Sequence, residues 1–253
     1  MKGKLATACL VLLASLAACG GGGDEEDEDD LGEEPEDNSG GGIWEGTYRI
    51  DGQTDSRAAF VLATEEGEFV LVATGHRIFF GSATASGNSF SGTGSSYLLG
   101  APPGGQSATI AGTVAADGSL SGSYSLPGES GTFNLVPQDF VYERGASLAR
   151  LAGVYSVPPN PQGFTVTASI NSDGVFTINF STAEGCMVNG TVQVVHPEFN
   201  YYRWSGNQSS CNAPTDGPVR GFMYLGDMPP GRDNYVRIFI QTQSQTAGTW
   251  LGP

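Results

Sequence analysis

The sequence predicts an all-β protein: two tandem antiparallel up-and-down β-barrel-like domains of about eight strands each, with β-sandwiches as the competing fold. Three observations carry this. From Thr47 onward, short runs rich in Val, Ile, Thr, Phe and Tyr alternate with Gly, Asn, Asp and Ser, the pattern of strands joined by tight turns. The pattern breaks once, across Pro137 to Arg150, and then restarts. The restarted half repeats the glycine and aromatic spacing of the first at a nearly constant offset.

In the first half the strand-like runs are Thr47 to Ile50, Ala58 to Ala63, Glu68 to Ala73, Arg77 to Thr84, Ser89 to Tyr97, Ser107 to Val114, Ser119 to Leu126 and Gly131 to Val136. Glu65-Glu66-Gly67 and Ser86-Gly87-Asn88 read as turns, and Asp117-Gly118 between alternating runs is a strong hairpin signal. Pro102 and Pro103 lack the N–H that an interior strand must donate, so that stretch is a loop. Ser147 to Leu151 reads as a helical turn before the pattern resumes.

The repeat is specific in its spacing. Gly46-x-Tyr48 recurs as Gly153-x-Tyr155, and Gly67-x-Phe69 as Gly174-x-Phe176, each 107 positions on. Gly81, Phe90 and Gly112 match Gly190, Phe199 and Gly221, each 109 positions on. Each half closes on Gly-Thr-aromatic, Gly131-Thr132-Phe133 and Gly248-Thr249-Trp250. Two domains follow, 43–138 and 147–253, with 139–146 as linker. Along Val175 to Phe180, Phe176, Ile178 and Phe180 point to one face and Val175, Thr177 and Asn179 to the other. A closed barrel would bury one face of such strands and abolish the sheet edges. Gly42-Ile43-Trp44 ahead of the first strand, followed by Gly46-x-Tyr48, resembles the entry of calycin-type barrels such as lipocalins and avidins. The resemblance implies barrel architecture and carries over no binding residue. The second half has Leu151-Ala152-Gly153 where that tryptophan would stand.

The first 42 residues are of another kind. Two lysines in Met1 to Lys4, about ten mostly apolar residues from Leu5 to Ala14 and a small-residue region make a secretory signal, too short to span a bilayer, which needs ~20 residues. Leu16-Ala17-Ala18-Cys19 resembles the lipobox of bacterial lipoproteins. That implies cleavage after residue 18 and a diacylglycerol-bearing, acylated Cys19 as membrane anchor; the alternative is an ordinary signal cut near Ala18. In enteric-type lipoproteins an aspartate after the cysteine retains the protein in the inner membrane, so Gly20 implies the outer membrane, facing periplasm or cell surface. Residues 19–42 continue as glycines and eleven acids without apolar periodicity. This is a disordered tether reaching on the order of 25 Å, a plain spacer or else a surface-export or weak calcium-binding segment.

The tether dominates the net charge of −16. The rest of the chain has 16 acids against nine arginines, a net of −7, and no basic stripe, which argues against nucleic acid. Cys9 leaves with the signal and Cys19 takes the lipid. Cys186 and Cys211 then form a pair in an exported chain and are expected to be disulfide-bonded, with a metal or redox site as the alternative.

No catalytic constellation emerges. His76 and His196 are the two histidines, at non-equivalent positions, and no G-x-S-x-G elbow is present. His76, in a Gly75-His76-Arg77 turn, is expected to face solvent. Glu65, Glu66 and Glu68 cluster at a turn, where charge keeps a loop hydrated, rather than opposing each other across a substrate. The candidate recognition patch is Phe199, Tyr201, Tyr202, Arg203 and Trp204: alternation puts Phe199, Tyr201 and Arg203 on one face and Tyr202 and Trp204 on the other. The same residues could instead cover a barrel wall or an interface between the halves. Tyr97-Leu98-Leu99 is a second candidate apolar contact. The expectation is a lipid-anchored, non-enzymatic envelope protein that uses no cofactor or metal, contacts the membrane through Cys19 and binds an unidentified ligand or envelope protein. A structural or assembly lipoprotein without a small ligand is the alternative, and a hydrolase the third reading. An open, small-lined barrel would favour a ligand; a plugged one would favour a partner.

Overall fold

Alternation of apolar and small polar residues, punctuated by glycine turns, folds into consecutive antiparallel hairpins. The computed structural model describes residues 41–98, 104–157, 165–181, 185–211, 216–227, 233–242 and, for backbone pairing, 246–251. The signal, Cys19 and nearly all of the tether lie outside these residues, as do Leu99 and the Pro102-Pro103 pair.

The first half comprises β1 (Gly42–Ile50), β2 (Arg57–Ala63), β3 (Glu68–Ala73), β4 (Arg77–Ser86), β5 (Ser89–Leu98), β6 (Gln106–Val114), β7 (Leu120–Leu126) and β8 (Glu129–Pro137). Each strand pairs with the next, and β1 pairs with β8 from Trp44↔Pro137 to Ile50↔Gly131, so the sheet closes into a barrel. Two short helices follow, α1 (Asp139–Tyr142) and α2 (Leu148–Leu151). The second half is β9 (Gly153–Val157), β10 (Val166–Ile170), β11 (Val175–Phe180), β12 (Met187–Val194), β13 (Tyr202–Ser209), β14 (Gly217–Gly226), β15 (Tyr235–Thr242) and β16 (Thr246–Leu251). It has the same up-and-down order, as an eight-stranded sheet with β9 and β16 at its ends. The all-β, tandem up-and-down architecture is as the sequence predicts.

Two boundaries differ. Gly42-Ile43-Trp44 lies inside β1, paired with Ala63, Leu62 and Val61, because Ile43 and Trp44 are buried on opposite faces of that strand. The segment expected as a bare linker carries α1. The helical turn read at Ser147 to Leu151 is α2, capped by the Ser147 hydroxyl, which accepts from the Arg150 N–H at 3.2 Å.

The repeat has a structural meaning. Gly67 and Gly174 both have φ +79°, a left-handed conformation that glycine adopts without a Cβ penalty. Each accepts at its carbonyl a backbone N–H from the second strand after it, from Ala83 of β4 at 2.7 Å and from Val192 of β12 at 2.8 Å. Phe69 stands directly opposite Gly81, and Phe176 opposite Gly190. Each ring lies over its glycine, where a Cβ would meet it at 2.9 Å. Phe90 faces Gly112 in the same way, but its counterpart is Trp204, which faces Gly221. The sequence match of Phe90 to Phe199 is therefore corrected by five positions. In these pairs the ring tilts over a glycine, where no side chain opposes it.

Burial follows the pattern of the strands. In β5 to β7 inward apolar residues and glycines alternate with mostly Ser and Thr on the outward face, as expected of a sheet wet on one face. β3, the start of β4, and much of β14 and β15 are instead buried on both faces. The second faces meet in a core shared by the two halves. It contains Phe60, Leu62, Val70 and Phe80 from the first half and Tyr201, Phe222, Tyr224 and Phe239 from the second. Phe60 stacks on Tyr224 and on Phe239, with ring centroids 5.4 Å apart in each case. Arg237, 4% exposed, lays its guanidinium 4.3 Å from the Phe60 centroid and pairs with Glu45 at 3.6 Å. Burying each such aromatic contributes on the order of 2 kcal/mol, so residues 37–253 form a single compact unit.

Candidate functional site

The closed barrel of the first half has two unlike ends. At the end of β1, β4 and β8 marked by Ile50, Arg77 and Glu129, inward polar side chains form a plug. Glu129 accepts from His76 at 3.0 Å, from the Arg77 Nε at 3.2 Å and from the Tyr124 hydroxyl at 3.2 Å. Arg77 also donates to Gln106 at 3.1 Å and to Ser96 at 3.4 Å. Burial pushes the Glu129 carboxyl up, but the hydrogen bond from His76 and the charges of Arg77 and His76 pull it further down, leaving it below the usual glutamate value. Burial, with Glu129 beside it, raises the Tyr124 hydroxyl well above the ordinary tyrosine range. His76, expected in solvent, has an 18% exposed side chain, because the partner 53 residues away draws it inward.

The opposite end is open. A cavity of about 640 Å³ enters the barrel among the turns β2–β3, β4–β5 and β6–β7. Its walls are Trp44, Val61, Phe69, Leu71, Phe90, Ile110, Leu120 and Phe133, with small residues such as Ala63, Ala83, Ala85 and Gly87 toward the mouth. The Trp44 indole donates to the Gly118 carbonyl at 3.0 Å, tying β1 to the β6–β7 turn and fixing one wall. Glu65, Glu66 and Asp139 also line the cavity, and among the described residues the lining contains no lysine, arginine or histidine. Tyr142 of α1 donates to Glu65 Oε1 at 2.6 Å. Volume, apolar wall and a few polar groups at the mouth are the properties of a small-molecule site.

Among the described residues, the equivalent end of the second half is filled. Leu148 and Leu151 of α2 pack into the core formed by Tyr155, Phe176, Val192 and Trp204, and Leu148 touches the site above Gly174. Arg150 pairs with Asp233 at 2.7 Å and Arg144 with Asp233 at 2.9 Å, fastening the plug. At the repeat offset of 107, Leu148 corresponds to Gly41 and Leu151 to Trp44. Residues 32–42 contain no large apolar side chain that could play the part of Leu148.

The candidate recognition patch is corrected. Tyr201 and Tyr202 are fully buried and Trp204 is 1% exposed. The expected alternation holds, but both faces are covered: Tyr202 and Trp204 point into the second half, while Tyr201 and Phe199 pack in the shared core. Arg203 keeps a partly exposed side chain, engaged with Glu68 and, at 3.5 Å, with Glu66. Glu66 also accepts from His196 at 2.8 Å. The turn carboxylates expected merely to hydrate a loop are thus tied to the other half. Between Phe199 and Tyr201, the fully buried Asn200 bonds to the Val141 carbonyl at 2.9 Å and the Leu225 carbonyl at 2.7 Å; sequence reasoning passed over it. In the second candidate contact Leu98 is exposed, and Leu99 lies outside the described residues. Cys186 and Cys211 are disulfide-bonded. Among the described residues no group of three or more His, Cys, Asp or Glu converges to hold a metal.

No protein-family model and no curated protein matches the chain. Among solved structures, one described as a "putative outer membrane protein" from Bacteroides fragilis aligns over 84% of this chain and 96% of its own, at 14% identity and a TM-score of 0.32. That degree of likeness carries no functional argument.

Proposed function

We propose that this is a lipid-anchored envelope protein whose first barrel is a non-enzymatic binding cup for a small apolar molecule. One observation carries the reading: the barrel is sealed by the Glu129 network at one end and open to an apolar cavity of about 640 Å³ at the other, where the duplicated half is filled by α2. The size is within the ~300–1,000 Å³ of ordinary ligand sites. The second half, side-chain-filled and sharing a core with the first, supports the wall formed by β1 to β4.

The anchoring part rests on Leu16-Ala17-Ala18-Cys19, and the outer-membrane part on Gly20. The described residues begin at Gly41, which lines the cavity. Cys19→Ser should release the protein from membranes; retention in the membrane fraction would refute the anchor. For the cup, Ala83→Phe places a ring in the cavity from β4. A solvatochromic apolar dye should bind the wild-type chain with enhanced emission and bind the variant at least tenfold more weakly. Equal binding by both, with both folded by circular dichroism, would refute the cup.

A further inference from the structure

A second concave site lies on the seam between the two halves, outside the barrel lumen. It consists of two adjoining hollows of about 400 and 770 Å³ that share Thr191, Ser205, Arg220 and Gln241. Those four stand directly beside one another in a row across β12, β13, β14 and β15. The first half supplies the other wall of the narrower hollow, where Glu68, Ser82 and Thr93 form a row across β3, β4 and β5. Phe80 and Phe222, from the shared core, also line it. Tyr97, half-buried, lines the larger hollow. Both volumes lie within the ~300–1,000 Å³ of ordinary ligand sites, and a junction between two folded halves is a preferred place for one.

The chemistry differs from that of the cup. Ser82, Thr93, Thr191, Gln193 and Ser205 line the narrower hollow and spend no side-chain donor or acceptor on another described residue. Each of these groups both donates and accepts, so the matching ligand presents groups that do the same, as a chain of hydroxyls does. An extended peptide fits less well. It gains affinity by adding to a strand edge, and β12 to β15 are each already paired on both sides. Arg220 sets the charge. Its Nε donates to Gln241 Oε1 at 3.1 Å, and it has no ion pair among the described residues. That bond holds the guanidinium in place and leaves both Nη groups, a fork that takes a carboxylate through two parallel hydrogen bonds. Arg203 is already matched by Glu68. The lining thus has two arginines against one glutamate, on a globular region that is net negative.

We infer that the seam binds an acidic oligosaccharide: an extended polyhydroxylated chain lying in the two hollows, with a uronate carboxylate on Arg220 and a sugar ring packed against Tyr97. Calorimetric titration of the purified full chain at pH 7 tests this, with hexagalacturonate, its uncharged methyl ester and hexaglutamate as probes. Hexagalacturonate should bind. The ester, the same chain without its charges, should bind about tenfold more weakly, the scale of a hydrogen bond to a charged group. Hexaglutamate, with the charges and no hydroxyls, should bind weakest. Arg220→Gln should bring the acid to the affinity of the ester. Ser205→Trp, at an exposed position within the row, should abolish binding of both, with circular dichroism showing each variant folded. Ester binding as tightly as the acid, or an acid preference that survives Arg220→Gln, would overturn the carboxylate assignment. Hexaglutamate matching hexagalacturonate would overturn the saccharide, and binding of none of the three would overturn the site. The apolar dye in the barrel reports on the cup separately from all of these outcomes.

Discussion

Glu129 is the most informative residue to perturb, because it alone joins His76, Arg77 and Tyr124 at the sealed end of the barrel. Glu129→Ala removes a carboxylate with a 15% exposed side chain and leaves Arg77, with a 10% exposed side chain, as an uncompensated charge. Breaking one partner out of a buried pair costs ~3–5 kcal/mol. Arg77 keeps Gln106 at 3.1 Å and Ser96 at 3.4 Å, so the lower end, about 3 kcal/mol, is expected. Urea denaturation at pH 7, followed by far-UV circular dichroism, measures it. Arg77→Met in the same chain removes the stranded charge, so the double variant should be more stable than the sum of the singles by about 1.5 kcal/mol or more. The pH dependence has a definite sign. The folded carboxyl lies below its ordinary value of 4.5, so its stabilisation is present above that pH and is lost as pH falls through the folded value. The gap between wild type and Glu129→Ala should therefore close in acid. A loss under about 1 kcal/mol at pH 7, or a gap unchanged from pH 7 to 3, would refute the argument.

Other consequences are equally direct. Gly81→Ala and Gly190→Ala each set a Cβ against a neighbouring carbonyl and against the ring of Phe69 or Phe176; each should cost about 1–3 kcal/mol in urea melts, and a neutral result at both would remove the aromatic-over-glycine account. The disulfide closes a separation of 25 residues, so Cys186→Ala with Cys211→Ala should lose about 3.5 kcal/mol on the chain-entropy scale, read as a lower denaturation midpoint. His196 is raised above its ordinary 6.5 chiefly by its hydrogen bond to Glu66. Its contribution is present below that value and lost as pH rises through the folded value, whereas that of Glu66, which is lowered, is lost in acid. Nuclear magnetic resonance titration should show an imidazole above 6.5 that returns to it in Glu66→Gln; no change on that substitution would contradict the contact.

Much of this architecture is legible residue by residue. Seven of the eight strand-like runs in the first half differ from β2 to β8 by a few residues at most, because Gly67, Gly87 and Gly118 mark turns that only a few residue types can make. The error at β1 has a cause: Gly42-Ile43-Trp44 shows no alternation, since both faces of that strand are buried. The same cause defeated the recognition patch. Tyr201, Tyr202 and Trp204 alternate as expected, but a one-dimensional pattern cannot say that a second sheet covers the outer face. The cup was not legible at all. Its lining comes from all eight strands of the barrel, and its openness depends on Gly41 standing where Leu148 stands in the repeat.

By itself the sequence determined the all-β duplication and the strand order, because local turn chemistry and period-two alternation act over a few residues. Tertiary structure decided which faces are buried twice, which end of the first barrel is sealed by Glu129 and Arg77, and which is open beside Glu65. Those are long-range pairings, between residues as far apart as His196 and Glu66, and their energies exist only once the two halves have closed on each other.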